Sequence, residues 1–244
     1  EVATLVESLE VRFLANRDEN LYFGLLTDFK DARQEKLPDD DELLESAKAQ
    51  IEAPNQKYGS EKNELFFLFH RPRRYNSRDK MWMGYERKRG KLTHLNSLLR
   101  GGPPDDFSCI VGEPGMYTQV KYVITLDSDT QLPRDSAWKL AATMSHPLNK
   151  ARYSPRKRRV VKGYGILQPR VAVSLSGSNR TWYTQMHGND SGLDPYTRAV
   201  SDVYQDLFKE GSFIGKGIYE VEIFEQALND RFPENRILSH DLLE

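Results

Sequence analysis

Two hydrophobic periods alternate along this chain. Val2, Leu5, Val6, Leu9 and Phe13 recur at three- and four-residue spacing, which predicts an amphipathic helix over 2–15. The apolar run Leu21-Tyr22-Phe23-Gly24-Leu25-Leu26-Thr27-Asp28-Phe29 predicts a buried strand that ends at an acid. The acidic turn Leu37-Pro38-Asp39-Asp40-Asp41 opens a helix over about 40–54, with carboxylates at the positive end of its dipole. Glu64–His70 reads as another strand, followed by a basic loop over 71–76. Leu92, Leu95, Leu98 and Leu99 share one face of a helix that Gly101 closes. After a Gly/Pro loop over 101–116 comes the strand Tyr122-Val123-Ile124-Thr125-Leu126, then a helix over 136–144. A basic hairpin or loop spans 154–159, and Val160–Pro169 reads as a strand. Residues 174–193 form a Gly/Ser-rich loop and 195–209 a helix. A glycine-rich stretch over 210–219 precedes a last helix marked by Val221, Ile223, Phe224 and Leu228. Strands alternating with helices predict an α/β fold with a mostly parallel sheet.

The strand at 122–126 is the one the rest is organised around. It delivers Asp127-Ser128-Asp129-Thr130 at its carboxyl end, where open α/β sheets bind ligands. Asp127 and Asp129 lie two apart, so past the strand end both carboxylates can converge on one cation. Such hard oxygen ligands suit Mg²⁺ or Mn²⁺ shared with substrate phosphates. A surface turn capping the next helix also accounts for these four residues, and Asp-X-Asp by itself is a weak signal. A haloacid-dehalogenase motif is excluded, because Thr130 comes one residue early. An EF-hand is excluded by Leu132 and Trp138 at the positions that need Gly and Glu.

The other candidates carry two readings each. Asp28 is a contact to a nucleotide base or ribose, or a strand-end turn residue. His70 is a ligand, or a strand-end residue. The basic residues that crowd the start of the helix carrying Leu92, Leu95, Leu98 and Leu99 are an anion site at a helix N-terminus, or a solvated run of charge. The basic stretch 154–159 touches an anionic membrane surface, or is a solvated loop. Gly211, Gly215 and Gly217 allow close backbone approach, but their spacing matches neither a dinucleotide fingerprint nor a P-loop.

Composition narrows the class without choosing among these. The chain has 244 residues, 38% hydrophobic and 29% charged, which makes one globular domain the default. A net charge of −1 supplies no bulk field for nucleic acid. Cys109 is the only cysteine, so an intrachain disulfide is impossible, a zinc-thiolate cluster is disfavoured and a reducing compartment fits. No apolar run approaches the ~18 residues of a membrane span, and no signal peptide opens the chain. Both ends read as cut, which points to a piece of a larger protein.

Long stretches of the chain fit one known pattern. They are LEVRFLANRDENLYFGLLTDF at 9–29, MGYERKRGKLTHLNSLLRG at 83–101, YVITLDSDTQLPRDSAWKL at 122–140 and GYGILQPRV at 163–171. DPYTRAVSDVYQDLFKEGSFIGKGIYEVEIFE at 194–225 and PENRILSHDLLE at 233–244 complete the set. In this order they resemble the GT-A fold of nucleotide-sugar glycosyltransferases, especially processive family 2 enzymes. The likeness is closer to the glycosyltransferase domain of bacterial cyclic β-1,2-glucan synthases (glycosyltransferase family 84).

The resemblance implies a single GT-A-like domain over 1–244, with a mostly parallel sheet flanked by helices and truncated at both ends. It implies inverting, metal-dependent transfer of glucose from UDP-glucose to a growing β-1,2-glucan acceptor. Asp28 would bind the uridine part, and Arg89 and Lys91 would lie near the diphosphate. Asp127 would contact nucleotide and metal, and Asp129 would be the main ligand of Mg²⁺ or Mn²⁺. Gly215, Gly217 and Tyr219 would border the acceptor. Asp241 would be the catalytic base, although Ser239 and His240 stand where family 2 enzymes carry Thr/Glu and Glu. An opening strand ending near a Pro and a Gln-x-x-Arg-Trp segment belong to the family 2 pattern and fall outside these residues. In such synthases the domain sits among membrane helices at the cytoplasmic face of the bacterial inner membrane, linked to a phosphorylase-like domain. A non-catalytic domain that binds a nucleotide sugar or glycan, and a nucleotidyltransferase, remain as the other classes.

Overall fold

The computed structural model describes residues 2–59, 64–169, 171, 207–208, 213, 215–228 and 231. Helix α1 (Val2–Ala15) and helix α2 (Asp40–Tyr58) pack on one face of a three-stranded sheet. Its centre is β2 (Phe66–Arg71), flanked by β1 (Phe23–Asp28) and β5 (Cys109–Val111). All six residues of β2 are buried. Alternate side chains of a strand face opposite ways, and the core divides accordingly. Phe66 and Leu68 join Val6, Leu9 and Phe13 of α1 and Ile51 of α2 on one face. Phe67 and Phe69 join Leu98 and Leu99 of helix α3 (Arg87–Leu99) on the other.

That second cluster also holds Tyr219, Val221 and Phe224, which belong to strand β10 (Gly217–Glu220) and the helix after it (Val221–Leu228). β10 lies between β6 (Tyr122–Thr125) and β9 (Ile166–Leu167), antiparallel to both. Two hairpins complete the sheets: β3 (Arg73–Asn76) with β4 (Met81–Gly84), and β7 (Arg152–Ser154) with β8 (Arg159–Lys162). A short helix α4 (Pro114–Tyr117) leads into β6, and α5 (Ser136–Ser145) follows it. The helix over Val221–Leu228 is α6.

The α/β class holds, but the sheets are small and mixed rather than mostly parallel. Among the described residues, β1 and β2 form the only parallel strand pair. A parallel neighbour needs a crossover of a dozen residues or more, and α2 supplies one between β1 and β2. No such element separates β3 from β4, and the remaining neighbours run in opposite directions. Three local expectations also change. The basic loop at 71–76 is the end of β2 and then strand β3. The strand over 160–169 splits into β8 and β9 at Gly163, whose φ of 71° breaks the extended run. The glycine-rich 217–219 segment is strand, because its apolar residues fill the second core cluster. β6 is only half-buried apart from Thr125. The 174–193 loop, the closing 237–243 segment and all but two residues of the 195–209 helix lie outside the described residues.

Candidate active site

The parallel register pairs Asp28 with Arg71 at the carboxyl ends of β1 and β2. Arg71 is 1% exposed and grips Asp28 with two bonds, Nε to Oδ1 at 2.8 Å and Nη2 to Oδ2 at 2.9 Å. Two parallel N–H bonds to one carboxylate are the strongest geometry a guanidinium has. Nη2 also donates to the carbonyls of Tyr85 and Arg87, at 2.9 and 3.2 Å. Those carbonyls flank a turn in which Glu86 and Arg87 both hold left-handed backbone, at φ 53° and 49°. Left-handed non-glycine residues cost energy and persist where surrounding bonds enforce them. Arg71 is such an enforcer, and it fixes where α3 begins. Gly84 is required beside it, because a Cβ there would overlap the Asp28 carboxylate.

Two histidines back this pair. Arg71 Nη1 lies 3.2 Å from His94 Nδ1, and His94 stacks on Tyr85 at 5.6 Å. His70 Nδ1 lies 2.8 Å from the Thr27 hydroxyl. Burial pushes both imidazoles down to about 4, and Arg71 repels the charged form of each. Both are therefore neutral at pH 7. Lys91 reaches to 3.9 Å from Asp28. Burial lowers its pKa, with Arg71 and Lys88 pushing the same way and Asp28 opposing.

The turn after β6 is held from two sides. From α1, Arg12 donates to the carbonyl oxygens of Asp127, Ser128 and Thr130 at 3.1, 2.9 and 2.8 Å. Asn16, one helical turn on, caps α5 by accepting from the Ala137 N–H at 3.0 Å. The Asp127 side chain then meets two lysines. Lys88 of α3 bonds Oδ1 at 2.7 Å, and Lys216, just before β10, bonds Oδ2 at 2.6 Å. Burial raises the Asp127 pKa, but these two lysines outweigh it and hold the carboxyl below its ordinary value. Lys88 also donates to the Gly215 carbonyl at 3.3 Å. Asp129 is exposed, and its charge offsets the burial that lowers the Arg12 pKa. Beside Asp28 opens a cleft of about 390 Å³, lined by Asp28, Phe29, Asp31, Gly84, Lys88 and Lys91 among others, and Lys88 links it to Asp127.

The structure thus brings Asp28, Lys91, Asp127 and Asp129 to one side of the molecule, around the start of α3. Gly215 and Gly217 flank Lys216 on the same side. Arg89 is different: it pairs with Glu86. On a helix, residues three apart share a face, so Lys88 and Lys91 turn to the cleft while Arg89 turns away. Tyr219 is 1% exposed, and its hydroxyl donates to Asn96 Oδ1 at 2.8 Å. It is a core residue here, not a wall of the cleft. Asp241 lies outside the described residues. Among the described residues no three His, Cys, Asp or Glu side chains cluster as a metal site. Sequence reasoning missed Arg12, Arg71, Lys88 and Lys216. Only for Lys88 was there a signal, its three-residue spacing from Lys91.

Over all 244 residues the chain is 48% identical to the cyclic beta-(1,2)-glucan synthase NdvB of Rhizobium meliloti (strain 1021). The chain is similar to one segment of a cyclic β-(1,2)-glucan synthase. It spans 8% of that protein's length. The resemblance read from the sequence is thereby shown at the level of the synthase. No protein-family model matches the chain. No helix among the described residues is long and apolar enough to cross a membrane.

Proposed function

We propose that this chain is the donor-binding part of a GT-A-type glycosyltransferase that makes cyclic β-1,2-glucan from UDP-glucose. One observation carries the reading. Strand-end Asp28 lines a cleft together with Lys88 and Lys91 of α3, and Lys88 in turn bonds Asp127, the acid that follows β6. A nucleoside diphosphate needs that combination: an acceptor for its base or ribose and cations for its phosphates. Asp28, held rigid by Arg71, takes the uridine part. Lys88 and Lys91 face the diphosphate, with Arg89 on the neighbouring face paired to Glu86. Gly215 and Gly217 let the acceptor glucan approach the backbone, with Tyr219 supporting them from the core.

The donor set fits a divalent cation in a limited way. Asp129 offers an exposed hard oxygen ligand, while both oxygens of Asp127 are taken by lysines. Such a site suits Mg²⁺ or Mn²⁺, which keep several waters and share substrate phosphate oxygens. When bound, the cation supplies Lewis-acid neutralisation of the departing UDP. The chain's own part is to orient the donor and balance its charge. A β-linked product from an α-linked donor requires inversion in one displacement. The acceptor hydroxyl oxygen bonds to the anomeric carbon as the bond to UDP breaks, and Asp241 takes the hydroxyl proton. General-base help of this kind is typically worth ~10²–10⁴-fold in rate.

Calorimetric titration of UDP and UDP-glucose, with and without Mn²⁺, tests the reading. Metal-dependent binding that Asp129→Ala abolishes is expected. Absence of UDP binding by the full-length protein refutes it, as does unchanged affinity in Asp129→Ala. In the full-length protein, Asp241→Asn is expected to keep donor binding and remove transfer.

A further inference from the structure

Lys216 stands apart from the rest of the site. It lies on neither α3 nor a strand, but between Gly215, at φ 74°, and Gly217, whose missing Cβ lets the chain pass the Leu167 carbonyl. Antiparallel pairing of Gly217 with Thr125 carries it alongside the end of β6. Its ammonium then lies 2.6 Å from Asp127 Oδ2, while Lys88 holds Oδ1 at 2.7 Å. One carboxylate thus carries two ammonium groups, a net positive charge at the edge of the cleft. Both lysines are partly exposed, at 28% for Lys88 and 23% for Lys216, so each can swing to a new anion.

Charge balance makes this arrangement temporary. A cation approaching Asp127 meets two positive charges at contact distance, where repulsion is strong. A diphosphate approaching the same place meets two ammonium groups able to donate charge-assisted bonds. We infer that Lys216 is an exchange ligand: it holds Asp127 in the free site and passes to the donor diphosphate, releasing Asp127 to the divalent cation. This rests on the donor-site reading above. The exchange couples the two ligands. Whatever factor UDP adds to metal affinity, metal adds to UDP affinity.

The test is the effect of Lys216→Gln on two affinities of the full-length protein. Mn²⁺ binding without nucleotide is followed by its paramagnetic resonance, and UDP binding at saturating Mn²⁺ by calorimetry. Lys216→Gln is expected to tighten Mn²⁺ about tenfold, because one repelling charge is gone. It is expected to weaken UDP about tenfold or more, the loss of a charged hydrogen bond. Uridine affinity stays unchanged, and Lys216→Arg restores both values toward wild type. Opposite movement of the two affinities supports the exchange. Parallel loss of both identifies a structural role and overturns it, as does no change in either. If wild-type protein binds no UDP with Mn²⁺, the donor-site reading itself falls and the exchange with it. Wild-type binding with an inert Lys216→Gln overturns the exchange alone.

Discussion

Removing Arg71 is the sharpest test of how the site is built. Arg71→Ala leaves the Asp28 carboxylate, 12% exposed, with Lys91 at 3.9 Å as its remaining cation among the described residues. The carbonyls of Tyr85 and Arg87 lose the Arg71 donor at the same time. Breaking a buried ion pair from one side costs about 3–5 kcal/mol, most of it the uncompensated charge. In a chain of this size that is a fall in melting temperature of about 10 °C. Urea denaturation followed by tryptophan fluorescence reads the loss, with Trp82 on β4 beside the affected turn. The pair term is isolated by Asp28→Asn and the double variant, with an expected coupling of about 2 kcal/mol. The strained Glu86–Arg87 turn should also relax, so UDP affinity falls in the single variant. A loss below about 1 kcal/mol with no coupling would refute the argument. Arg71 would then be a bystander, and the position of α3 would have another cause.

Two further outcomes follow from the same geometry. Arg12→Ala frees the carbonyls of Asp127, Ser128 and Thr130, and is expected to cost about 2 kcal/mol and to weaken Mn²⁺ affinity, with partial rescue by Arg12→Lys; calorimetry of Mn²⁺ checks it, and unchanged affinity counts against a positioning role. His70 is neutral in the fold with its pKa near 4 rather than 6.5, so its contribution is complete above pH 6.5 and is lost as pH falls toward 4. The slope is about 1.4 kcal/mol per pH unit. His70→Gln should flatten urea midpoints between pH 6 and 4.5 by that amount, and an unchanged pH dependence would contradict the burial argument.

The strands that carry the acids were legible because each is an apolar run that stops at a carboxylate. Asp28, Asp127 and Asp129 were found that way, and the helix at 2–15, the one carrying Leu92–Leu99 and the one marked by Val221–Leu228 by their spacing. Local pattern encodes those features, since even a half-buried strand keeps an apolar run until it leaves the sheet. Sheet direction was not local. The 217–220 segment reads as a glycine turn in isolation, and only packing of Ile218, Tyr219 and Val221 against β6 and α3 makes it a strand. That insertion makes the β6-β10-β9 sheet antiparallel, while β5 running against β2 makes the other sheet mixed.

The partners of the acids were decided by the tertiary structure alone. Arg71 is 43 residues from Asp28, and Arg12 is 115 from Asp127. Nothing in the sequence near 71–76 distinguishes a buried guanidinium from a solvated one. Arg73, which pairs with Asp40 of α2, is also buried, while Arg74 pairs with Asp106 nearer the surface. A charge is stable inside a protein only where an opposite charge and hydrogen-bond acceptors arrive from elsewhere in the chain. The sequence by itself therefore determined which carboxylates stand at the strand ends. Which cations neutralise them, and so how the site is charged before any ligand comes, depends on contacts between distant segments that only the fold brings together.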